Sequence, residues 1–180
     1  MTIDDLLDRA QITEALMRYA QGVDRRDWDA VRAAYHDDAY DDHGPYKGGV
    51  DGLVDWISGR HESIAQSMHL IGNVVIDLDG DTARSDAYCL VFQRQREDAE
   101  TTPAMFENAH QADEGAPTIE ICCRYVDEMQ RRDGVWRISH RTVVYEWMWT
   151  AVRDEVSLIQ PDWARATRDR TDPVYARWDQ

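Results

Sequence analysis

From Ser67 onward the apolar residues stop recurring every three or four positions and begin to alternate, so a helical first third gives way to a β-rich remainder. The β half opens with Ser67-Met68-His69-Leu70-Ile71-Gly72-Asn73-Val74-Val75-Ile76-Asp77. Strand alternation puts His69, Ile71, Asn73 and Val75 on one face and Leu70, Gly72, Val74 and Ile76 on the other. Both faces are largely apolar, which reads as a strand buried on both sides. A histidine in such a strand needs a partner for its ring nitrogens. Tyr19-Ala20-Gln21-Gly22-Val23-Asp24 supplies a carboxylate directly after an amphipathic helix, and the pairing Asp24–His69 is the arrangement to test.

Before Ser67 the pattern is helical. Leu6, Leu7, Ala10, Leu16, Tyr19 and Ala20 form the stripe of a helix over about 4–21, with Gly22 as its terminator. Asp27 caps a second helix from Trp28 to about His36. Asp51 caps a third that carries Leu53, Val54, Trp56, Ile57 and Ile64. Between them lie a short strand over 39–42 and a loop over 43–49. After Ser67 come four strands, ending near Leu78, Arg96, Arg131 and Thr150. Asp79-Gly80-Asp81 and Arg132-Asp133-Gly134 are hairpin turns. Residues 97–116 are polar and read as a long loop or lid. Three helices and a four-stranded meander predict an α+β domain over 1–150, helices packed on a curved, mainly antiparallel sheet. Residues 151–180, with Trp163, Tyr175 and Trp178, form an extension that packs on the domain or on a neighbouring subunit.

A net charge of −15 over 180 residues argues against nucleic acid and anionic membranes, which both call for a basic face. No run of eighteen apolar residues occurs, and the start Met1-Thr2-Ile3-Asp4-Asp5 has no basic region leading into an apolar one, so the reading is cytoplasmic. Cys89, Cys122 and Cys123 lack zinc spacing and read as reduced, structural residues. The run His36-Asp37-Asp38-Ala39-Tyr40-Asp41-Asp42-His43 has donors for a divalent ion but no ligand spacing. A solvated acidic turn is the preferred reading. Asp77-Leu78-Asp79-Gly80-Asp81 lacks the closing glutamate of a calcium loop, because Tyr88 stands there. Neither a metal nor a cofactor is expected.

Gly22-Val23-Asp24-Arg25-Arg26-Asp27-Trp28-Asp29-Ala30-Val31, Met68-His69-Leu70-Ile71-Gly72-Asn73, Arg124-Tyr125-Val126-Asp127 and Arg131-Arg132-Asp133-Gly134-Val135-Trp136-Arg137-Ile138 resemble the SnoaL-like branch of the nuclear transport factor 2-like superfamily, over residues 1 to about 150. The resemblance implies a cone-shaped α+β barrel around a deep apolar pocket. It also implies an Asp–His pair that performs eliminations without cofactor, as in scytalone dehydratase, bile acid 7α-dehydratase and lindane dehydrochlorinase. In the bile acid enzymes a tyrosine five residues before the aspartate and an arginine on the last strand complete the site. Tyr19, Asp24, His69 and Arg141 fill the matching positions here.

On that reading His69 is the base, near its ordinary pKa of about 6.5, and Asp24 orients it. Tyr19 polarises a carbonyl or protonates a leaving hydroxyl, and Arg141 meets an enolate or carboxylate. Asn73 is a further polar contact. Each residue also has a plain reading: Asp24 as a helix cap, His69 as a satisfied core histidine, Tyr19 as packing, Arg141 as a strand arginine paired to Glu120 or Asp127. The function expected is a dehydratase-like lyase on a hydrophobic ring compound such as a steroid, polyketide or aromatic-derived molecule. An isomerase or cyclase using the same base, or a binding domain without turnover, are the alternatives. A homo-oligomer, dimer or trimer, is expected because faces of curved sheets pair.

Overall fold

A computed structural model describes residues 1–96, 117–152 and 159–176; the expected 97–116 lid and Trp178 lie outside them. Helix α1, Ile3–Arg25, opens with a capping box. The Thr2 hydroxyl accepts from the Asp5 amide at 3.1 Å, and the Asp5 carboxylate accepts from the Thr2 amide at 2.6 Å. The helix does not stop at Gly22. It runs on until Arg26 takes the left-handed conformation, φ 56°, so Asp24 sits inside its last turn. Gly22 serves a close approach instead: a Cβ there would lie 3.0 Å from Val31 Cγ2 and 3.1 Å from the backbone of Asp27 and Val31. That contact brings α2, Trp28–Ala33, against α1, with the Asp27 carboxylate accepting from the Ala30 amide at 3.3 Å.

The chain leaves α2 three residues before the expected His36 and enters β1, Tyr35–Asp42. A short antiparallel strand β2, Lys47–Gly49, lies where a loop was expected. Helix α3, Val50–Arg60, starts from Gly49 without a side-chain cap, so Asp51 is a first-turn residue and not the cap. Ile64 belongs to β3 rather than to the helix. The long strands are β3, Ile64–Asp79, β4, Thr82–Gln95, β5, Pro117–Arg132, and β6, Val135–Val152. They form an antiparallel meander, and β1 joins it parallel to β6. The sheet order is β2-β1-β6-β5-β4-β3, six strands in which β1 and β2 extend the expected four-stranded meander, curved and not closed into a barrel. Asp133 and Gly134, φ 52° and 78°, make the two-residue turn between β5 and β6, where both positions need positive φ.

The pleat is interrupted where the chemistry lies. On β3, Ile64 pairs with Gln95 and Gln66 with Arg94, then Ile71 with Cys89 and Val74 with Ala87, so one extra residue enters at each place. Ser67, His69 and Ile71 face inward between these two bulges, and Val74, Ile76 and Leu78 face inward beyond the second. Asn73 and Val75 are therefore turned out, against the strict alternation expected, and Asn73 is not near His69's ring face. On β6 Ser139 and Glu146 are the extra residues, and the segment between them turns Arg141 inward.

The strand is not buried on both sides. The outer face carries the cross-strand rows Met68–Phe92–Glu120–Trp149 and Leu70–Leu90–Cys122–Trp147. Met68 and Leu70 are each 54% exposed, and the Trp147 and Trp149 rings stack at 6.3 Å. The core lies on the concave side, where Ile12, Tyr19 and Val23 of α1 and Leu53 and Ile57 of α3 meet Val91, Ile121, Tyr125 and Ile138. Among the described residues no helix is long and apolar enough to cross a membrane.

Candidate active site

Asp24 reaches β3 because the last turn of α1 ends against that strand's first inward segment. Its carboxylate takes three hydrogen bonds from two residues: Ser67 Oγ donates to Oδ1 at 2.8 Å, the His69 amide to Oδ2 at 2.8 Å, and His69 Nδ1 to Oδ1 at 2.7 Å. An ionised carboxylate only accepts, so in the neutral ring Nδ1 carries the proton and Nε2 holds the lone pair. Asp24 is not the cap of α2; that is Asp27.

The electrostatics follow the geometry. For Asp24, burial raises the pKa, but the hydrogen bonds and charge of His69, with the Ser67 hydroxyl, outweigh it and hold the carboxyl below its ordinary value. Burial works to lower His69, and the bond and charge of Asp24 overcome that and raise it. Arg168, from the 159–176 segment, supports the pair from behind. It donates Nε to the Asp24 carbonyl at 3.0 Å, Nη2 to that of Val23 at 3.3 Å and Nη1 to that of Ile64 at 2.6 Å. A cation thereby satisfies carbonyls at the C-terminal end of α1, where the helix dipole favours one. Arg25 pairs with Asp172 at 3.2 Å, and the Tyr175 hydroxyl donates to Asp27 at 3.1 Å, fixing the same segment to the helical corner.

Arg141 is fully buried and grips Asp127 with two bonds, Nε to Oδ1 at 2.8 Å and Nη2 to Oδ2 at 2.7 Å. Its guanidinium lies 4.1 Å from the ring centre of Tyr125 and 4.4 Å from that of Tyr19. Burial opposes its charge, and Asp127 with the tyrosines restores it, leaving a firm cation. Nη1 has no hydrogen-bond partner among the described residues. Of the two sequence readings, the pairing to Asp127 is made, and one nitrogen is left over.

Tyr19 is 1% exposed, and its hydroxyl lies 3.3 Å from Nε2 of His43 rather than against the dyad. Burial pushes that hydroxyl well above its usual pKa, so it keeps its proton. His43 Nδ1 in turn donates to Asp41 Oδ1, and the Tyr35 hydroxyl donates to Asp41 Oδ2 at 2.7 Å. The solvated acidic turn expected over 36–43 is thus overturned: Asp41 is 0% and His43 9% exposed. Their signal was present as alternation, since Ala39, Asp41 and His43 share one face of β1. Among the described residues no group of three or more His, Cys, Asp or Glu side chains is arranged to hold a metal.

Cys89 and Cys123 face each other across β4 and β5, unlinked and buried. The Cys89 thiol is pulled down to about 6, chiefly by its hydrogen bond with Cys123, against burial and with help from the charge on His69. Cys89 stands opposite Ile71, two residues along β3 from His69, and shares the buried cluster with Tyr19. Arg60, from the end of α3, adds a second cation near Tyr19, Tyr125 and Tyr145 and donates to Gln93 Oε1 at 2.8 Å.

Helices set on an open, curved, mostly antiparallel six-stranded sheet, with a helix-borne aspartate bonded to a strand histidine, define a cone-type fold of the nuclear transport factor 2-like class. Residues 4–142 match the SnoaL-like domain, and the chain belongs to that family. An uncharacterised protein of Mycobacterium tuberculosis is 30% identical over 146 residues, covering 78% of this chain and 87% of its own length. Among solved structures, the hexachlorocyclohexane dehydrochlorinase LinA-type3 of Novosphingobium barchaimii LL02 superposes with a TM-score of 0.68 at 21% identity. The match covers 88% of this chain and 99% of that one. A scytalone dehydratase candidate from Novosphingobium aromaticivorans gives 0.67 at 16% identity, over 89% and 100%.

Proposed function

We propose that this protein is a cofactor-independent lyase that removes a carbon-bound proton with His69 and expels a β-substituent from a hydrophobic ring compound, a dehydratase-like elimination. The observation that carries the reading is the 2.7 Å bond from His69 Nδ1 to Asp24, which leaves Nε2 as a lone pair on an inward-facing strand residue. General-base catalysis of this kind contributes about 10²- to 10⁴-fold. Asp24 fixes the tautomer and stabilises the imidazolium as it forms. Arg141 Nη1, without a hydrogen-bond partner among the described residues, is suited to an oxyanion at the substrate carbonyl, and Tyr19 to a leaving oxygen. Ile71, Val91, Ile121 and Trp56 belong to the apolar cluster on the same concave side, and apolar surroundings suit an apolar ring. Neighbours that are a dehydrochlorinase and a scytalone dehydratase candidate agree with elimination as the reaction class.

His69→Asn tests the base. The asparagine amide keeps a donor where Nδ1 stood and deletes Nε2, so the fold holds while the base is gone. With 3-hydroxy-1-indanone as probe, turnover to indenone is expected to fall at least about 10³-fold, with the melting transition within a few degrees of the parent. Retention of more than a tenth of the parent rate would remove His69 from the mechanism. A parent protein that binds ring ketones without turning them over would leave the binding-domain reading.

A further inference from the structure

Loss of a good leaving group needs only a base, whereas hydroxide is a poor leaving group whose departure is accelerated by an acid that protonates it. The side of the site remote from Asp24 is built for that second task. Tyr19, His43, Asp41 and Tyr35 form one buried chain: the Tyr35 hydroxyl and His43 Nδ1 both donate to the Asp41 carboxylate, and His43 Nε2 stands 3.3 Å from the Tyr19 hydroxyl. Resting on the elimination reading above, we propose that Asp41 and His43 recharge Tyr19 as the acid that protonates the leaving oxygen, which commits the site to loss of water from β-hydroxy carbonyl compounds.

The state of His43 decides which way the Tyr19 proton points. With Nδ1–H given to Asp41, a neutral His43 can only accept at Nε2, and the Tyr19 proton is tied to it. A protonated His43 donates at Nε2 to the Tyr19 oxygen, and the phenolic proton is free for substrate. Asp41, Arg141 and Asp127 are neighbours in register across β1, β6 and β5, two carboxylates to one guanidinium. The groups facing His43 are Tyr19 of α1, Asp41 and Tyr35 of β1, Trp56 of α3, Tyr125 and Asp127 of β5, and Arg141 and Tyr145 of β6. Arg141 is held away by its own pair with Asp127. Tyr19 shares one buried cluster with Cys89, which stands opposite Ile71 beside His69, so the two assemblies face the same interior.

His69 Nε2 takes the proton α to the carbonyl, and the C–H pair becomes the new C=C bond by way of the enolate. The β-carbon–oxygen bond breaks with its pair on oxygen, which takes the Tyr19 proton and leaves as water. The Tyr19 phenolate regains a proton from His43 Nε2. One proton has then passed from His43 to His69, and exchange with solvent resets both. His43 never touches substrate; it is a positioning and relay residue.

Two probes separate the tasks: 3-hydroxy-1-indanone, whose leaving group needs an acid, and 3-(4-nitrophenoxy)-1-indanone, whose leaving group does not. His43→Asn keeps a donor to Asp41 and removes Nε2. It is expected to lower the ratio of water loss to nitrophenolate loss about 100-fold, within the range of general-acid effects. His69→Asn lowers both rates and leaves the ratio alone. Equal losses on both probes in His43→Asn would overturn the relay while leaving the base reading intact. Survival of both rates in His69→Asn would overturn the base reading itself. A measurement free of substrate guards against misfolding: in protein labelled with 15N-histidine, Tyr19→Phe is expected to shift the His43 Nε2 resonance and not that of His69. An unmoved His43 resonance refutes the proposal.

Discussion

Replacing Asp24 with asparagine should produce a stability loss whose size depends on pH in a way only an ionised pair can give. The Asp24 and His69 side chains are 11% and 7% exposed, so solvent screening discounts their interaction little. Three donors converge on the carboxylate, two of them from His69. An asparagine oxygen can keep the backbone bond, but its NH2 group then opposes donors that previously found an acceptor. Bonds to charged groups contribute about 1.5–3 kcal/mol each, so a loss of about 3 kcal/mol is expected where the pair is fully ionised. That window follows from the signs. Asp24 is lowered from 3.8, so its contribution is whole above 3.8 and fades as pH falls through the lower folded midpoint. His69 is raised from 6.5, so its contribution is whole below 6.5 and fades as pH rises through the higher folded midpoint. These are two faces of one coupling and count once. The difference between parent and Asp24→Asn should therefore be greatest between 3.8 and 6.5 and shrink on either side. Urea unfolding of both proteins from pH 3 to pH 9 measures it, with nitrogen-15 titration of His69 alongside. In the variant that midpoint should drop below the parent's, because burial then acts without its counterweight. A stability difference that stays flat with pH would show that Asp24 matters as a neutral hydrogen-bonding residue only, and the dyad argument would fail.

Arg141→Met strands the Asp127 carboxylate inside the sheet and should cost about 3–5 kcal/mol, while Arg141→Met with Asp127→Leu recovers most of it. A double variant no more stable than the single, by denaturant melts, would mean that the pair is not the reason Arg141 is buried. Gly22→Ala gains about 1 kcal/mol of helix propensity, but its Cβ meets two backbone atoms at 3.1 Å that cannot swing away, for a net loss of about 1–3 kcal/mol. A melting temperature above the parent's would refute the close-contact account.

The helical stripe of α1, the change of period near Ser67 and the two hairpin turns were legible because each rests on short-range chemistry: side-chain periodicity and positive φ at fixed positions. Asp24 and His69 were also found, one at the end of a stripe and one alone in an apolar strand. What escaped was what depends on distant partners. Gly22 reads as a helix stop, yet it continues the helix because α2 packs against it. The 36–43 run reads as a solvated acidic turn around its short strand because Asp41 and His43 carry charge, and charge signals solvent unless a buried network receives it.

The bulges explain why the inward set cannot be counted off along a strand. Strict alternation from Trp136 and Ile138, both buried, would carry His140 inward and Arg141 out. The extra residue at Ser139 reverses that parity, and the one at Glu146 restores it before Met148. On β3 the extra residues beside Ile64 and Ile71 do the same around His69. Each bulge leaves a residue out of the ladder, a local cost that periodicity gives no reason to accept. It is offset here by what the reversed segments achieve: one turns His69 toward Asp24, the other turns Arg141 toward Asp127 and the Tyr19–His43 chain. A regular pleat with Ser139 kept in the ladder would set His140 opposite Asp127 in place of Arg141, whereas deleting Ser139 leaves Arg141 opposite Asp127. The polar groups of this interior are thus set by where the pleat is broken, which is the one property of a strand that its hydrophobic pattern does not record.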